Sequence, residues 1–312
     1  MTKMATRDAY GQALVELGRA NENIVVLDAD LSKSTKTADF RKNFPDRFIN
    51  VGIAEQNLMG MAAGLSTAGK IPFASTFAMF ATGRAFEIIR NSIGYPKLNV
   101  KICATHSGIT VGEDGASHQA LEDISCMRTI PNMTVIVPAD GVETKAAIHA
   151  VAKMEGPVYV RLGRLAVPTI NDEATYKFEI GKGIQLKEGN DVTIVATGLM
   201  VNEALEAAKE LEANGIHARV INIHTIKPID TELIVKAAQE TGAIVTAEEH
   251  NIIGGLGSAV AEVISENCPV PLKRIGTMDT FGESGSPVDL MKKYGLTKEN
   301  IISAVTEIMK KK

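Results

Sequence analysis

The chain has 312 residues, 45% of them hydrophobic and 22% charged, with a formal charge of −4. That length holds two ordinary domains with apolar content for two cores. The mild negative charge excludes the basic face that nucleic-acid binding requires, and no apolar run is long enough to span a membrane.

Met1–Asp8 runs straight into a helical pattern and lacks the apolar core of a signal peptide, so a cytoplasmic location is expected. Cys103, Cys126 and Cys268 sit in mostly apolar contexts without Cys-x-x-Cys spacing, which fits buried reduced thiols. Ala9, Ala13, Leu14 and Leu17 space out an amphipathic helix over Thr6–Asn21. Ile24–Leu27 is a continuous apolar run, hence a buried strand, ending at Asp28–Asp30 before the polar loop Leu31–Thr37. Phe48–Val51 is extended, turns at Gly52, and passes into a helix from Glu55 on which Leu58, Met61, Ala62 and Leu65 share one face. Gly60, Ala63 and Gly64 leave room for a second helix or backbone to approach. Strand Ile71–Ala74 precedes a helix bearing Phe86, Ile89, Arg90 and Ile93; strand Asn99–Ala104 feeds the glycine-rich loop His106–His118. Helix 119–128, strand Thr134–Val137, helix Val142–Lys153 and strand Val158–Arg161 complete the first half.

A polar stretch then breaks the alternation. Beyond it, strands Val192–Ala196, Ala218–Asn222, Ala243–Thr246 and Leu272–Ile275 alternate with helices Val201–Asn214, Asp230–Glu240, Gly257–Glu266 and Thr297–Lys310, the last with Thr297 as N-cap. The prediction is α/β: two doubly wound domains, residues 1–172 and 191–312, joined by a linker at 173–190. Ligands of such sheets bind beyond the carboxyl ends of the strands. Four polar or glycine-rich segments fall there: Asp28–Thr35, Gly52–Glu55, Ser75–Phe80 and Thr105–His118.

Glu55 is the only acidic residue between Ile49 and Gly69. It either complements the positive end of its helix or serves as a buried carboxyl for a cofactor ring nitrogen. Phe77 and Phe80 are either core or an aromatic wall for a flat heterocycle. His106–His118 carries two histidines, Glu113 and Asp114, without helical metal-ligand spacing or an obvious third ligand, so no metal site is expected on this chain. Gly254–Ser258 opens a helix and reads as a tight turn in preference to an anion site.

Gly52–Gln56 (Gly-Ile-Ala-Glu-Gln), Ser75–Phe80, His106–Gln119 and Ile130–Met133 resemble the pyrimidine-binding domain of transketolase. Ala247–His250, Gly254–Ser258 and Phe281–Gly285 resemble its C-terminal domain, in the family's order. The resemblance implies that Glu55 shares a proton with the aminopyrimidine ring of thiamine diphosphate, which acts as electron sink in ketol transfer. By the same resemblance Phe77 and Phe80 flank the pyrimidine and Asp30 lies near the cofactor. His118 and Asp114 hold substrate hydroxyls, while Arg7, Ser34, His106 and Arg164 clamp the sugar phosphate. Arg164 is preferred to Arg161, which belongs to the strand end.

Two departures stand out. Gly83 replaces a third pocket aromatic, leaving space that is open or filled by a partner chain. The Gly-Asp-Gly stretch and following asparagine that hold Mg²⁺ and the diphosphate in this family are absent. The expectation is therefore the C-terminal half of a split transketolase, inactive alone and completed by an N-terminal subunit in an α2β2 assembly. Alternatives are the β-type subunit of a 2-oxo-acid dehydrogenase, a deoxyxylulose-phosphate synthase half, or a non-catalytic scaffold subunit.

Overall fold

A computed structural model describes residues 2–312. Fourteen strands form among them. The first eight are β1 Lys3–Ala5, β2 Ile24–Asp28, β3 Phe48–Asn50, β4 Ile71–Ser75, β5 Lys101–Ala104, β6 Thr134–Ile136, β7 Val158–Arg161 and β8 Ala166–Pro168. The rest are β9 Ile184–Lys187, β10 Val192–Ala196, β11 Ala218–Asn222, β12 Thr225–Lys227, β13 Ile244–Asn251 and β14 Leu272–Thr277. The continuous apolar runs become fully buried strands, as parallel sheets covered on both faces demand.

The first sheet has seven strands in the order β12-β6-β7-β5-β4-β2-β3. Six are parallel; β12 pairs antiparallel with β6. The second sheet runs β14-β13-β10-β11-β9, with β9 the antiparallel edge. β1 and β8 form a small antiparallel pair. Helices Thr6–Ala20 and Gly141–Lys153 pack together on one face of the first sheet, where Leu14, Leu17, Ile148 and Val151 join its core. The other face is covered by Glu55–Thr67 through Leu58, Met59 and Ala62.

Several local features depart from the sequence reading, each for a visible reason. The segment Leu31–Thr37 contains a helical turn, Ser32–Thr35, organised by buried Asp28. Its carboxylate accepts from the Leu31 N–H (2.6 Å) and from the Thr35 and Thr37 hydroxyls (2.6 and 2.9 Å). The helix expected over 119–128 begins at Asp123, because the Ala120 carbonyl is committed to the Gly108 N–H at 3.0 Å. Residues 184–187, polar enough to read as linker, pair with β11 as β9. Thr297 is the N-cap residue, yet its hydroxyl donates to Asn300 Oδ1 and not to helix backbone. Among the described residues none closes on Gly60 or Gly64: a Cβ at either would meet nothing within 4 Å. Cys103 is buried and Cys126 and Cys268 are half-buried; all three are free thiols. Among the described residues no helix is long and apolar enough to cross a membrane.

Candidate active site

Glu55 is the first residue of helix Glu55–Thr67 and is 2% exposed. A carboxylate buried so far needs a partner, and Arg84 Nη1 donates to its Oε2 at 2.7 Å. The same guanidinium lies over the Phe80 ring, 4.9 Å from its centroid. Phe77 and Phe80 are nearly parallel, planes 19° apart and centroids 6.0 Å apart. An acid and an aromatic wall therefore stand side by side beyond the carboxyl end of β4. The space that a side chain at Gly83 would take is filled by the Met79 methyl, 2.7 Å from an ideal Cβ there.

The histidines continue this wall. The His106 ring stacks on Phe77 at 3.8 Å, while His118 meets Phe80 edge-on at 5.2 Å. His106 is 3% exposed; burial, then the charge of Arg7, pushes its pKa down to about 3, so the ring is neutral. His118 is half-buried and its Nδ1 pairs with the Ser117 hydroxyl at 3.0 Å.

Arg7, on the first turn of helix Thr6–Ala20, reaches His106 Nε2 at 3.0 Å and the Ser34 carbonyl at 3.2 Å. Burial holds its pKa below the usual arginine range, with Arg164 nearby acting in the same direction. Arg164 donates to the Val111 carbonyl at 2.6 Å and lies 3.7 Å from Asp114. Arg7, with Asp8 near it, and Arg164, with exposed Glu113 and Asp114 beside it, are held close enough to interact, a pair of guanidinium groups able to receive an anion. Asp30 is exposed, with φ of 64°, and accepts from Asn50 Nδ2 at 2.8 Å.

The loop that carries these groups is held from the second domain. Glu249, buried on β13, accepts from the Thr110 N–H at 2.7 Å, and its carboxylate lies where a Cβ on Gly108 would sit, 2.2–2.5 Å away. Gly108 also has φ of +79°, so glycine is required there twice over. Gln119 donates to the carbonyls of Ile109 and Glu283 at 3.1 and 2.9 Å, joining the loop to Phe281–Gly285. Arg161 ends β7 and forms a buried ion pair with Asp123, Nε to Oδ2 at 2.7 Å, a structural task that sets it apart from Arg164. At the Gly254–Ser258 turn, Glu248 accepts from the Leu256 and Gly257 N–H groups at 2.7 and 2.8 Å. That helix start is already filled by the chain's own carboxylate.

The structure thus joins Glu55, Phe77, Phe80, His106, His118, Arg7 and Ser34 through successive contacts, with Arg164 and Asp114 beside them; Asp30 stands apart on its own hydrogen bond. Sequence reasoning missed Arg84. Its position four residues after Phe80 on a helical stretch was the available signal. It also missed Thr105, whose hydroxyl pairs with His106 Nδ1 at 2.9 Å.

Comparison with known proteins identifies the family of both domains. The model of the transketolase pyrimidine-binding domain matches residues 2–169, and that of the transketolase C-terminal domain matches residues 181–301. A Methanocaldococcus jannaschii protein named as a transketolase C-terminal section is 58% identical over 309 residues, covering 98% of this chain and 96% of its own length. A 6-deoxy-6-sulfo-D-fructose transketolase subunit of a Clostridium species is 46% identical over 306 residues, covering 98% and 95%. Among solved structures, a split gene transketolase in an inactive β4 tetramer superposes with a TM-score of 0.91 at 61% identity, over 99% of both chains. The chain belongs to the transketolase family.

Proposed function

We propose that this chain is the C-terminal subunit of a split transketolase, moving a two-carbon ketol unit between sugars that end in an anionic group. The observation that carries the reading is a carboxyl group, Glu55, buried at a helix start beside the Phe77–Phe80 wall. These residues fit a flat nitrogen heterocycle: a proton-sharing acid at its edge and a ring face against it.

Thiamine diphosphate, when bound, supplies the electron sink for the transferred carbons. Glu55 shares a proton with the ring nitrogen and holds the ring's edge. Phe77 and Phe80 fix its plane and exclude water from it. Asp114 and His118 orient substrate hydroxyls, His118 meeting Phe80 edge-on. Arg7, Ser34 and Arg164, with His106 beneath Arg7, take the anionic end. Asp30 is assigned to the cofactor's surroundings. The described residues contain no group of three or more His, Cys, Asp or Glu side chains able to hold a metal. Mg²⁺ and the diphosphate are assigned to an N-terminal partner subunit, in a cytoplasmic α2β2 enzyme.

The anionic terminus is a phosphate or a sulfonate, since a guanidinium pair serves either, and one relative is named for a sulfonated sugar. The test is Glu55→Gln assayed with the partner present. Removing the acid–base group lowers turnover by roughly 10²–10⁴-fold, while the isolated wild type given thiamine diphosphate and Mg²⁺ stays inactive. Unchanged turnover in the variant, or robust transfer by the chain alone, would overturn the proposal.

A further inference from the structure

The segment Ile109–Val111 lies between two glycines, Gly108 and Gly112, whose φ values of 79° and 82° put a permissive residue at each end. Gln119 Nε2 donates to the carbonyls of Ile109 and Gly112 at 3.1 and 3.3 Å. Between them, the Thr110 N–H donates to Glu249 Oε1 at 2.7 Å. The Val111 carbonyl accepts from Arg164 Nη1 at 2.6 Å. Two residues of backbone therefore separate a carboxylate of the second domain from a guanidinium of the substrate site. Glu249 is itself firmly placed. It is buried on β13, and its own carbonyl accepts from Arg161 Nη2 at 2.9 Å. The same nitrogen donates to the Ala120 carbonyl at 3.2 Å and to Asp123 Oδ1 at 3.1 Å. Ala120 in turn closes the base of the loop by accepting from the Gly108 N–H at 3.0 Å. An acceptor anchored on a buried ion pair thus grips a stretch that its flanking glycines would otherwise leave free to turn. A hydrogen bond from backbone N–H to a carboxylate is among the stronger kinds.

We infer that Glu249 is a positioning residue for Arg164. By holding the Thr110 N–H it sets the Val111 carbonyl, and through that carbonyl the direction in which Arg164 meets the substrate's anionic group. The second domain thereby shapes the substrate site without touching substrate. The inference rests on the transketolase reading for the identity of the substrate, and on this chain's own hydrogen bonds for the path from Glu249 to Arg164.

The experiment has two arms. In the enzyme assembled with its partner, KM and kcat are measured for xylulose 5-phosphate and for unphosphorylated xylulose. Glu249→Ala raises KM for the phosphate on the order of tenfold, as loss of one charge-assisted contact does, with kcat changed by less than about threefold and KM for xylulose by less than about twofold. Combined with Arg164→Ala it adds nothing to Arg164→Ala alone, because Glu249 acts through that guanidinium. Glu249→Gln keeps an oxygen at the acceptor position and stays within about threefold of wild type. Glu249→Asp keeps the charge but falls one methylene short, and behaves as Glu249→Ala does. These two small changes decide the question even if Glu249→Ala does not fold. Equal losses on both ketoses, multiplicative effects in the double variant, or better retention by Glu249→Asp than by Glu249→Gln overturn the inference.

The second arm needs neither partner nor cofactor. In the full chain, hydrogen exchange at the Thr110 amide is roughly tenfold faster in Glu249→Asp than in wild type or Glu249→Gln. Nitrogen-15 spectra of arginine-labelled chain show the Arg164 guanidinium resonance moving in Glu249→Asp and keeping its place in Glu249→Gln. An Arg164 resonance indifferent to Glu249→Asp, or unchanged exchange at Thr110, overturns the inference. If the assembled wild type transfers no ketol unit, the transketolase reading fails, and these spectra still decide whether Glu249 sets Arg164.

Discussion

Arg84 Nη1 and Glu55 Oε2 lie 2.7 Å apart, brought together from positions 29 residues distant in the chain. Glu55 is almost wholly enclosed, whereas half of the Arg84 side chain is open to solvent. The guanidinium is planar, donates to the acid and covers the aromatic ring beside it. It therefore makes, within the chain, the two contacts that a flat heterocycle would make. Arg84, the exposed partner, is the one that a bound ring would displace.

The first prediction follows from that asymmetry. Arg84→Gln releases Glu55 and lowers the half-saturating thiamine diphosphate concentration of the assembled enzyme by about three- to tenfold, about 1 kcal/mol. Cofactor titration checks it. Weaker binding in the variant would mean that Arg84 supports the site and does not compete for it.

Arg164→Ala separates substrates by charge. Losing a guanidinium contact to an oxyanion should raise KM for a phosphorylated ketose by roughly 10–100-fold, leaving an unphosphorylated one within about twofold. Parallel steady-state kinetics on the two donors decide the point. Equal effects on both remove Arg164 from the clamp.

Asp123→Ala tests the buried pair. Arg161 is 5% exposed and Asp123 not at all, and Tyr159 also donates to this carboxylate at 2.6 Å. Removing one partner strands a buried charge, at a cost of about 3–5 kcal/mol. Denaturant unfolding measures this, with an Asp114→Ala control at an exposed position expected to change little.

Glu143 gives a pH dependence of defined sign. Burial pushes its carboxyl up to about 7 from an ordinary 4.5, only partly offset by hydrogen bonds from the Tyr176 hydroxyl, the Ala139 N–H and the Asn222 amide. Between those values the folded chain keeps a proton that the unfolded chain has released. Stability from this group is complete below about pH 4.5 and is lost as pH rises through about 7, a change of about 3 kcal/mol. His106 and His224, whose pKa values are lowered by burial, titrate in the opposite sense. The readout is therefore the difference in stability between wild type and Glu143→Gln across this range, which should shrink as pH falls. A flat difference would refute the assignment.

The sequence carried the parts of this fold that depend on local pattern. The runs Val192–Ala196, Ala218–Asn222 and Val158–Arg161 form strands at the bounds their apolar character indicates. Glu55 was legible because it is isolated in a small-residue segment, and the histidine loop because its polar residues crowd between glycines. What escaped was set by distant partners. Arg84 gains meaning only when its helical stretch meets Glu55. Short β9 is a strand because β11 offers it a bare edge, and Gln119 stays out of a helix because it braces Ile109 and Glu283. No periodicity announces such pairings.

One strand has a bearing on how the molecule can be divided. β12 lies well inside the second half of the sequence, yet it completes the first sheet against β6, and Lys227 Nζ donates to the carbonyls of Arg128 and Ile130 at 2.8 and 2.6 Å. A graft that exchanges the carboxyl-terminal half for that of a relative at residues 173–190 also swaps the outermost ribbon of its neighbour. A fragment cut at the same place is left with β6 bare, an adhesive rim that invites self-association. The seam natural to this architecture interlocks, so its two halves travel together.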